Sequence, residues 1–249
     1  MERYKKNILV KGIGEEGQKK LLRSKVAVVG IGGLGSAVSL YLSAAGIGEL
    51  ILVDNDTVDL NNLQRQILYD ENSIGLPKTQ AAKNRLKSLN SGIKIIPMNL
   101  SWKDAAAKLI NAKTDIIVDC VDNMETKFDL NDFAILSNTP LVHSGVVSMQ
   151  GQITTIIPGK TGCLRCLFPD KIPDNTSSDI FGILGPVAGN MGALQAIEVI
   201  KHITGAGKCL SNMILFIDYA ENNFKTIKYE KNTDCSCSRV NIHKRGSSK

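Results

Sequence analysis

Features that would point to a membrane, to a nucleic acid or to a repeat architecture are missing from this sequence. None of its apolar runs approaches the roughly 18 residues that a membrane-spanning helix requires, and no apolar stretch of signal-peptide length follows the first residues. The formal net charge of +6 is modest for 249 residues and collects near the two ends, which argues against a nucleic-acid-binding surface. No internal repeat occurs. We therefore expect a cytoplasmic protein that engages neither membranes nor nucleic acids.

The composition is that of an ordinary globular chain. Hydrophobic residues make up 43% of it and charged residues 22%, which excludes wholesale disorder, and the length suffices for a substantial core. Six cysteines are present. In a cytoplasmic chain they argue for metal binding or catalysis rather than for a disulfide framework.

The most informative stretch is the glycine-rich segment at residues 26–36, Val-Ala-Val-Val-Gly-Ile-Gly-Gly-Leu-Gly-Ser. An apolar run stops at the glycines and a helical pattern follows, which predicts a strand, a tight turn and a helix. Gly30 would permit the turn, Gly32 would let a phosphate approach the backbone, and Gly35 would let the helix pack closely. Asp54 follows the next apolar run, at the distance typical of an acid that binds a ribose hydroxyl. The segment therefore predicts an adenine-nucleotide site, with phosphates at the helix N-terminus.

Apolar runs and helical patterns alternate as far as residue 147 and predict an α/β fold with a doubly wound, mostly parallel Rossmann-like sheet. Its strands are predicted at 26–29, 50–53, 93–97, 115–120 and 141–147. An antiparallel C-terminal extension of the sheet is predicted from further strands at 152–157, 213–217 and 224–228. Helices are predicted at 14–23, 77–89, 103–110, 124–137 and 187–203, and from the glycine turn to about residue 45. Residues 167–182 are expected to form a mobile loop and the last ten residues to be frayed.

The polar connection at residues 54–66 is too long for an ordinary loop between a strand and a helix, which invites a functional explanation. Together with other motifs it resembles a known family. The motifs, in chain order, are Gly30-Ile-Gly-Gly-Leu-Gly35, Asp54-Asn-Asp56, Asn61-Asn-Leu-Gln-Arg-Gln66, Pro77-Lys78, Cys120-Val-Asp-Asn123, Gly151-Gln-Ile-Thr154 and Cys163-x-x-Cys166. They resemble the bacterial adenylyltransferases that activate ubiquitin-like sulfur carriers in thiamine and molybdenum-cofactor synthesis, relatives of the eukaryotic ubiquitin-activating enzymes.

The resemblance implies that ATP adenylates the C-terminal glycine carboxylate of a small carrier protein ending in Gly-Gly, releasing pyrophosphate. This reaction brings two anions together, so catalysis must come from positioning and from cations that offset the charge. Arg65 and Lys78 would grip the phosphates, and Asp122 would hold magnesium. The other nucleotide contacts that the resemblance implies are Gly30, Gly32, Gly33, Gly35, Asp54, Asp56, Asn62 and Gln66. Taken singly, cations in a polar segment are usually solvated, and Asp122 is also a candidate N-cap for the next helix.

The two cysteine pairs resemble the structural four-cysteine zinc site of that family. The ligands would be Cys163, Cys166, Cys235 and Cys237. The second pair has one intervening residue where the family usually has two, and His243 is the alternative ligand in place of one sulfur.

Two further positions depart from the family pattern. Lys6 stands where relatives have an arginine that reaches the active site of the other subunit of a homodimer, so we expect Lys6 to make that contact; the alternative is a loose N-terminus. Ser178 stands where some relatives carry a loop cysteine. A hydroxyl cannot relay sulfur, and Cys120 and Cys209 are poor substitutes. We expect adenylation only, with no fused sulfurtransferase domain and with sulfur from the persulfide of another protein.

We expect one adenylation domain over residues 1–249, with a Rossmann-like nucleotide-binding part at 1–148, a carrier-binding and zinc part at 149–240 and a tail at 241–249. Three alternatives stay open. A nicotinamide-dependent oxidoreductase would share the glycine turn and Asp54, and a binding module would hold a nucleotide or a carrier without turnover. An adenylating enzyme for a peptide or a modified transfer-RNA base would share the remaining motifs.

Overall fold

A computed structural model describes residues 1–168 and 182–239 of the chain. Within these residues eight strands form one sheet in the spatial order β3-β2-β1-β4-β5-β6-β7-β8. The strands are β1 (Lys25–Val29), β2 (Glu49–Val53), β3 (Lys94–Met98), β4 (Ile116–Asp119), β5 (Leu141–Val147), β6 (Gln150–Ile156), β7 (Met213–Asp218) and β8 (Asn223–Lys228).

The first five strands are parallel and the last three continue the sheet in antiparallel pairs. The predicted doubly wound sheet with an antiparallel extension is confirmed. The chain moves outward from β1 through β2 to β3 and then returns to the other side of β1 with β4. This change of direction opens a crevice between the carboxyl ends of β1 and β4, which is where open α/β sheets bind ligands.

The helices cover the two faces of the sheet. They are α1 (Lys5–Ile8), α2 (Gly14–Arg23), α3 (Gly33–Ala45), α4 (Lys78–Leu89), α5 (Trp102–Ala112), α6 (Met124–Ser137), α7 (Leu164–Leu167), α8 (Gly185–Thr204) and α9 (Ser236–Arg239). Helices α2, α3, α4 and α8 contribute to one core, and α5, α6 and α7 contribute to the other. Among the helices of the described residues, none combines the length and the apolarity needed to cross a bilayer.

The sequence of β1 shows why the sheet is buried on both sides. Val26 and Val28 belong to the core under α3 and α8, whereas Ala27 and Val29 belong to the core under α5 and α6. Alternate side chains of a strand point to opposite faces, so the apolar run at 26–29 suits a strand that helices cover on both sides.

Helices α3 and α8 approach closely at Gly192. A Cβ atom at this position would lie 2.5 Å from the carbonyl oxygen of Leu34 in α3, so only glycine permits the contact. Because α3 begins at the glycine turn, this packing sets where its N-terminus lies relative to the crevice.

The N-terminal residues are ordered, contrary to the alternative of a loose N-terminus. A 3-10 helix at Glu2–Tyr4 precedes α1. Tyr4 is buried against Gly46 at the end of α3, and its hydroxyl accepts a hydrogen bond of 2.9 Å from Asn90 Nδ2. The predicted loop at 167–182 and the predicted frayed tail lie largely outside the described residues, as do Ser178 and His243.

Candidate active site

A cleft of about 1170 Å³ opens at the carboxyl edge of the sheet. Its parallel half comprises the loops after β1, β2 and β4 and the segment that leads to α4. Its antiparallel half comprises the ends and cleft-facing side chains of β5 to β8. Most of the nucleotide-site residues predicted from the sequence line the parallel half; they are Gly30, Gly32, Gly33, Asp54, Asp56, Asn62, Arg65, Gln66, Lys78 and Asp122.

The glycine turn is enforced by contacts of the backbone. Gly30 has φ +86°, and a Cβ there would lie 2.7 Å from the carbonyl oxygen of Cys120. A Cβ at Gly35 would lie 2.0 Å from the carbonyl oxygen of Gly30. Gly32 is different, because the nearest atom to its Cβ position is Gln66 Nε2 at 3.8 Å. Gly30 and Gly35 are therefore required by the fold, whereas Gly32 leaves room on the cleft side.

Asp54 holds the turn from the neighbouring strand. Its Oδ2 accepts a hydrogen bond of 2.7 Å from the amide of Ile31, and its Oδ1 accepts one of 2.9 Å from the amide of Asp56. Burial raises the pKa of this carboxyl, although the nearby Lys78 opposes the shift. Each carboxylate oxygen retains a second acceptor site, so Asp54 can take hydroxyl donors from the cleft while it holds the turn.

Tyr69 fastens the same turn from the other side. Its hydroxyl donates a 2.8 Å hydrogen bond to the carbonyl oxygen of Ile31, and its side chain is buried. The peptide groups of Ile31 are thus held by Asp54 and by Tyr69. The motif-based sequence interpretation missed Tyr69, which lies just beyond the polar segment that it used.

Lys78 is a buried cation at the start of α4. Its Nζ lies 2.8 Å from Asp56 Oδ2, and its side chain is 7% exposed against 63% for that of Asp56. The exposed carboxylate leaves the ammonium group in contact with the cleft rather than sealing it. Pro77, at the N-cap, has ψ 131° and turns the chain into the helix, so Lys78 is fixed by the first turn.

Arg65 and the predicted amide contacts come from the crossover that follows β2. A 3-10 helix at Leu60–Asn62 begins with a capping box, in which Asp59 accepts from the Asn61 amide at 3.0 Å. Arg65 Nη1 donates a 3.0 Å hydrogen bond to the carbonyl oxygen of Asn61. Asn62 and Gln66 are buried, and no partner within the described residues reaches Gln66 Oε1. This 3-10 helix and its cap account for part of the length of the polar segment.

Asp122 lies in the cleft between β4 and α6 and is exposed. The alternative role of N-cap is wrong, because Asn123 caps α6 by accepting a 2.9 Å hydrogen bond from the Thr126 amide. A carboxylate in this position has the oxygen chemistry that Mg²⁺ prefers.

Lys6 does not line the cleft of its own chain. The N-terminal segment packs at the far end of α3, next to Gly46, and a helix of this length extends about 20 Å. Lys6 is also exposed. Within one chain it therefore stands apart from the other predicted site residues.

The antiparallel half is an open sheet face. Strand pairing aligns two rows of side chains across it, and direct cross-strand neighbours lie side by side on one face. One row is Gly145, Gln152, Phe216 and Lys225, and the other is Val147, Gln150, Asp218 and Asn223. Gln150 Nε2 donates a 2.6 Å hydrogen bond to Asp218 Oδ2. Phe216 is 36% exposed and lines the cleft, so this half presents both apolar and charged contacts.

The four paired cysteines meet where α7 and α9 come together, and none of them lines the cleft. All four sulfur atoms lie within 4.8 Å of one another, and three of the separations are 3.9 Å (Cys163 to Cys166), 3.7 Å (Cys163 to Cys235) and 3.5 Å (Cys166 to Cys237). Four sulfurs at about 2.3 Å from a tetrahedral zinc ion lie about 3.8 Å apart. The donor set therefore fits zinc, and the single residue between Cys235 and Cys237 does not prevent the four thiols from converging.

Comparisons with known proteins agree with this geometry. A model of the ThiF family matches residues 4–237. The sulfur carrier protein ThiS adenylyltransferase of Escherichia coli is 38% identical over 94% of this chain and 93% of the relative. The molybdopterin-synthase adenylyltransferase of Escherichia coli is 38% identical over 94% of this chain and 95% of the relative. The crystal structure of Escherichia coli MccB with MccA-N7isoASN superimposes with a TM-score of 0.83 at 29% identity, over 94% of this chain and 74% of that one.

Proposed function

The chain belongs to the ThiF family and is an adenylyltransferase, and from this premise we propose that it adenylates the C-terminal glycine carboxylate of a ubiquitin-like sulfur carrier protein. The observation that carries the proposal is the two-part cleft. Its parallel half has the features that a nucleotide needs, and its antiparallel half is an open sheet face on which the extended end of a carrier can lie.

The parallel half would bind ATP through four kinds of contact. Asp54 accepts hydrogen bonds from the ribose hydroxyls, while the glycine turn and the N-terminus of α3 face the phosphates. Lys78 and Arg65 offset the phosphate charge, one as a compact point charge and the other as a planar fork. Asn62, Gln66 and Asp56 complete this wall of the cleft. The diphosphate of a nicotinamide cofactor carries less negative charge than the triphosphate of ATP, so two cations suit ATP better.

The antiparallel half would bind the carrier tail beside the α-phosphate. Gly145 has no side chain of its own, and the side chain of Gln152 lies over it, so that a Cβ there would be 3.3 Å from Gln152 Nε2. A Gly-Gly terminus would be narrow enough to lie along this part of the sheet. Attack of the carboxylate oxygen on the α-phosphorus forms the acyl-phosphate bond and releases pyrophosphate. Because two anions must meet, the cations of the parallel half supply most of the stabilisation.

Magnesium and zinc have separate roles in this proposal. Asp122 would hold Mg²⁺, which screens the charge of the triphosphate when bound. Cys163, Cys166, Cys235 and Cys237 would hold a structural Zn²⁺ that ties the chain after β8 to α7. Metal analysis of purified protein is expected to give one zinc per chain, and Cys166→Ser is expected to lose the metal and lower Tm; an unchanged metal content would contradict the assignment.

Two further points of the proposal concern partners. We propose a homodimer in which Lys6 reaches the cleft of the partner subunit, because it does not reach its own. A persulfide on another protein would supply sulfur after adenylation.

Mixing inactive Asp122→Ala subunits with Lys6→Ala subunits tests the homodimer. Only a site shared between two subunits restores activity in the mixed dimers.

A peptide substrate is the second candidate. The likeness to MccB, a Microcin C7 biosynthetic enzyme that was crystallised with MccA, favours it. We would therefore offer a ThiS-type carrier, a molybdopterin-type carrier and the MccA peptide in parallel assays of ATP–pyrophosphate exchange. Exchange with one carrier, abolished by deletion of its terminal glycine, supports the proposal and identifies the pathway. Exchange with MccA alone would replace the sulfur carrier by a peptide as the substrate.

A further inference from the structure

A buried group of charged side chains lies at the base of the cleft, and none of them has been given a role so far. Asp119, at the end of β4, is fully buried, and Lys127 of α6 is 6% exposed. Lys127 Nζ lies 3.2 Å and 3.3 Å from the two carboxylate oxygens of Asp119. His143 of β5 is also buried, with Nδ1 at 2.7 Å from Asp119 Oδ2.

The group connects the two halves of the cleft. Asp119 Oδ1 accepts a 3.2 Å hydrogen bond from the amide of Val121, the residue before Asp122 in the parallel half. Lys127 Nζ also donates a 2.8 Å hydrogen bond to the carbonyl oxygen of Ser144, the residue before Gly145 in the antiparallel half. Lys127 itself lines the cleft. One ion pair therefore fixes the loop of Asp122 against β5, the strand that carries Gly145.

Stability alone does not account for such a pair. Removing two charges from water costs several kcal/mol per ion, and well-packed apolar residues are often as stable in their place. Geometry does account for it. In a reaction between two bound groups, a misplacement of about 1 Å can cost about 100-fold in rate, and Asp119 and Lys127 set the distance across which the phosphate and the carboxylate meet.

We infer that Asp119 and Lys127 are positioning residues for adenylation, which brace the nucleotide half of the cleft against the acyl half. This inference rests on the proposed function. Lys127→Met is expected to lower kcat about 100-fold and to change the separate Kd values for ATP and for the carrier less than about threefold. Lys127→Arg keeps the charge and has donors for both Asp119 and the Ser144 carbonyl, so it is expected to recover part of kcat.

The double variant separates positioning from folding. Lys127→Met leaves the Asp119 carboxylate buried without its cation, which destabilises the fold. Combining it with Asp119→Asn removes that charge and is expected to restore Tm but not kcat. If kcat returns together with Tm, the pair acts only through stability and the inference is wrong.

Lys201→Met is the matched control. Lys201 of α8 pairs with the buried Glu198 and donates to the carbonyl oxygen of Lys208 at 2.9 Å, away from the cleft. The Lys201→Met variant therefore loses an ion pair and a contact to a carbonyl, as Lys127→Met does. Because these contacts lie away from the cleft, Lys201→Met is expected to keep the kcat of the wild type. A kcat for Lys127→Met within about threefold of this control would overturn the inference.

Hydrogen exchange tests the brace even if the proposed function fails. In Lys127→Met, the amides of residues 121–123 and 144–147 are expected to exchange faster together, and in Lys201→Met they are expected to match wild type. Unchanged exchange in both segments contradicts the brace. Absence of adenylation in the wild-type protein with every acyl substrate would instead contradict the proposed function and leave this structural readout intact.

Discussion

The two halves of the cleft are built in opposite ways. In the parallel half, the side chains predicted to form the nucleotide site are already held by the chain itself: Asp54 binds two amides, Lys78 binds Asp56, and Arg65 binds a carbonyl. In the antiparallel half, the side chains of β8 are exposed along the whole strand. Under the proposed function, the first half is preorganised for a small ligand that varies little, and the second is left for the surface of the carrier to complete. The variants below test this contrast.

The largest effect is expected at Gly30. Gly30→Ala forces a Cβ onto the carbonyl of Cys120 at a positive φ, and we expect a loss of about 3 kcal/mol in the free energy of unfolding together with loss of ATP binding. Gly32→Ala is the matched control, because its Cβ has space. It is expected to cost less than about 1 kcal/mol but to weaken ATP binding. Chemical denaturation measures the free energy of unfolding, and calorimetry measures the affinity for ATP. Equal destabilisation by the two variants would contradict the conclusion that the fold requires glycine at position 30 and not at position 32.

The next effect is expected at Lys78. Lys78→Met removes a buried cation, so kcat/KM should fall about 100-fold. Its exposed partner Asp56 remains solvated, and the loss of Tm that we expect comes from the buried Asp54 carboxylate, which loses a nearby cation. Lys94→Met is the control, since Lys94 of β3 pairs with Glu49 of β2 outside the cleft. If the two variants have similar kcat/KM in the pyrophosphate-exchange assay, Lys78 does not act on the phosphates.

A smaller and selective effect is expected on β8. Lys225 lines the cleft, whereas Lys228 lies on the opposite face of the same strand. Lys225→Glu is expected to raise KM for the carrier about tenfold without changing KM for ATP, as a change in contact charge does. Lys228→Glu should change neither. An equal response of both variants would mean that the carrier does not use this face.

The smallest expected effect is a dependence of nucleotide affinity on pH, which the protonation of Asp54 causes. Since burial raises its pKa above the ordinary 3.8, Asp54 becomes protonated at a higher pH than a solvated aspartate and then loses acceptor capacity for the ribose. Nucleotide affinity should therefore decline on acidification before it would for an exposed carboxyl. Asp54→Asn should flatten this decline, as calorimetric titration across pH would record.

The same shift sets the sign for stability. A pKa that is raised in the folded state stabilises the fold only while the carboxyl is protonated, and this contribution is lost as pH rises through the folded-state pKa. The stability of wild type relative to Asp54→Asn should therefore increase as pH falls through the folded-state pKa. A relative stability that stays constant over this pH range in denaturation curves would mean that the carboxyl does not titrate with a raised pKa.

The same contrast explains which site residues could be predicted from the sequence and which could not. Gly30, Gly35, Asp54 and Lys78 follow strands or begin helices, and local patterns locate such positions. Tyr69, Lys127 and His143 were missed because each acts through a contact that only the tertiary fold creates. The antiparallel strands were predicted, but the alignment of Gly145, Gln152, Phe216 and Lys225 depends on register, which alternation within single strands does not determine.

The most direct test of the account is to trap the activated carboxylate. Wild-type protein would be incubated with ATP, magnesium, a ThiS-type carrier and hydroxylamine, and the carrier would then be mapped by mass spectrometry. A hydroxamate is expected on the C-terminal glycine of the carrier. Its formation should require ATP, and its yield should be strongly reduced with the Lys78→Met variant. A hydroxamate that forms only on a peptide such as MccA, or on a carrier side chain, would contradict the account.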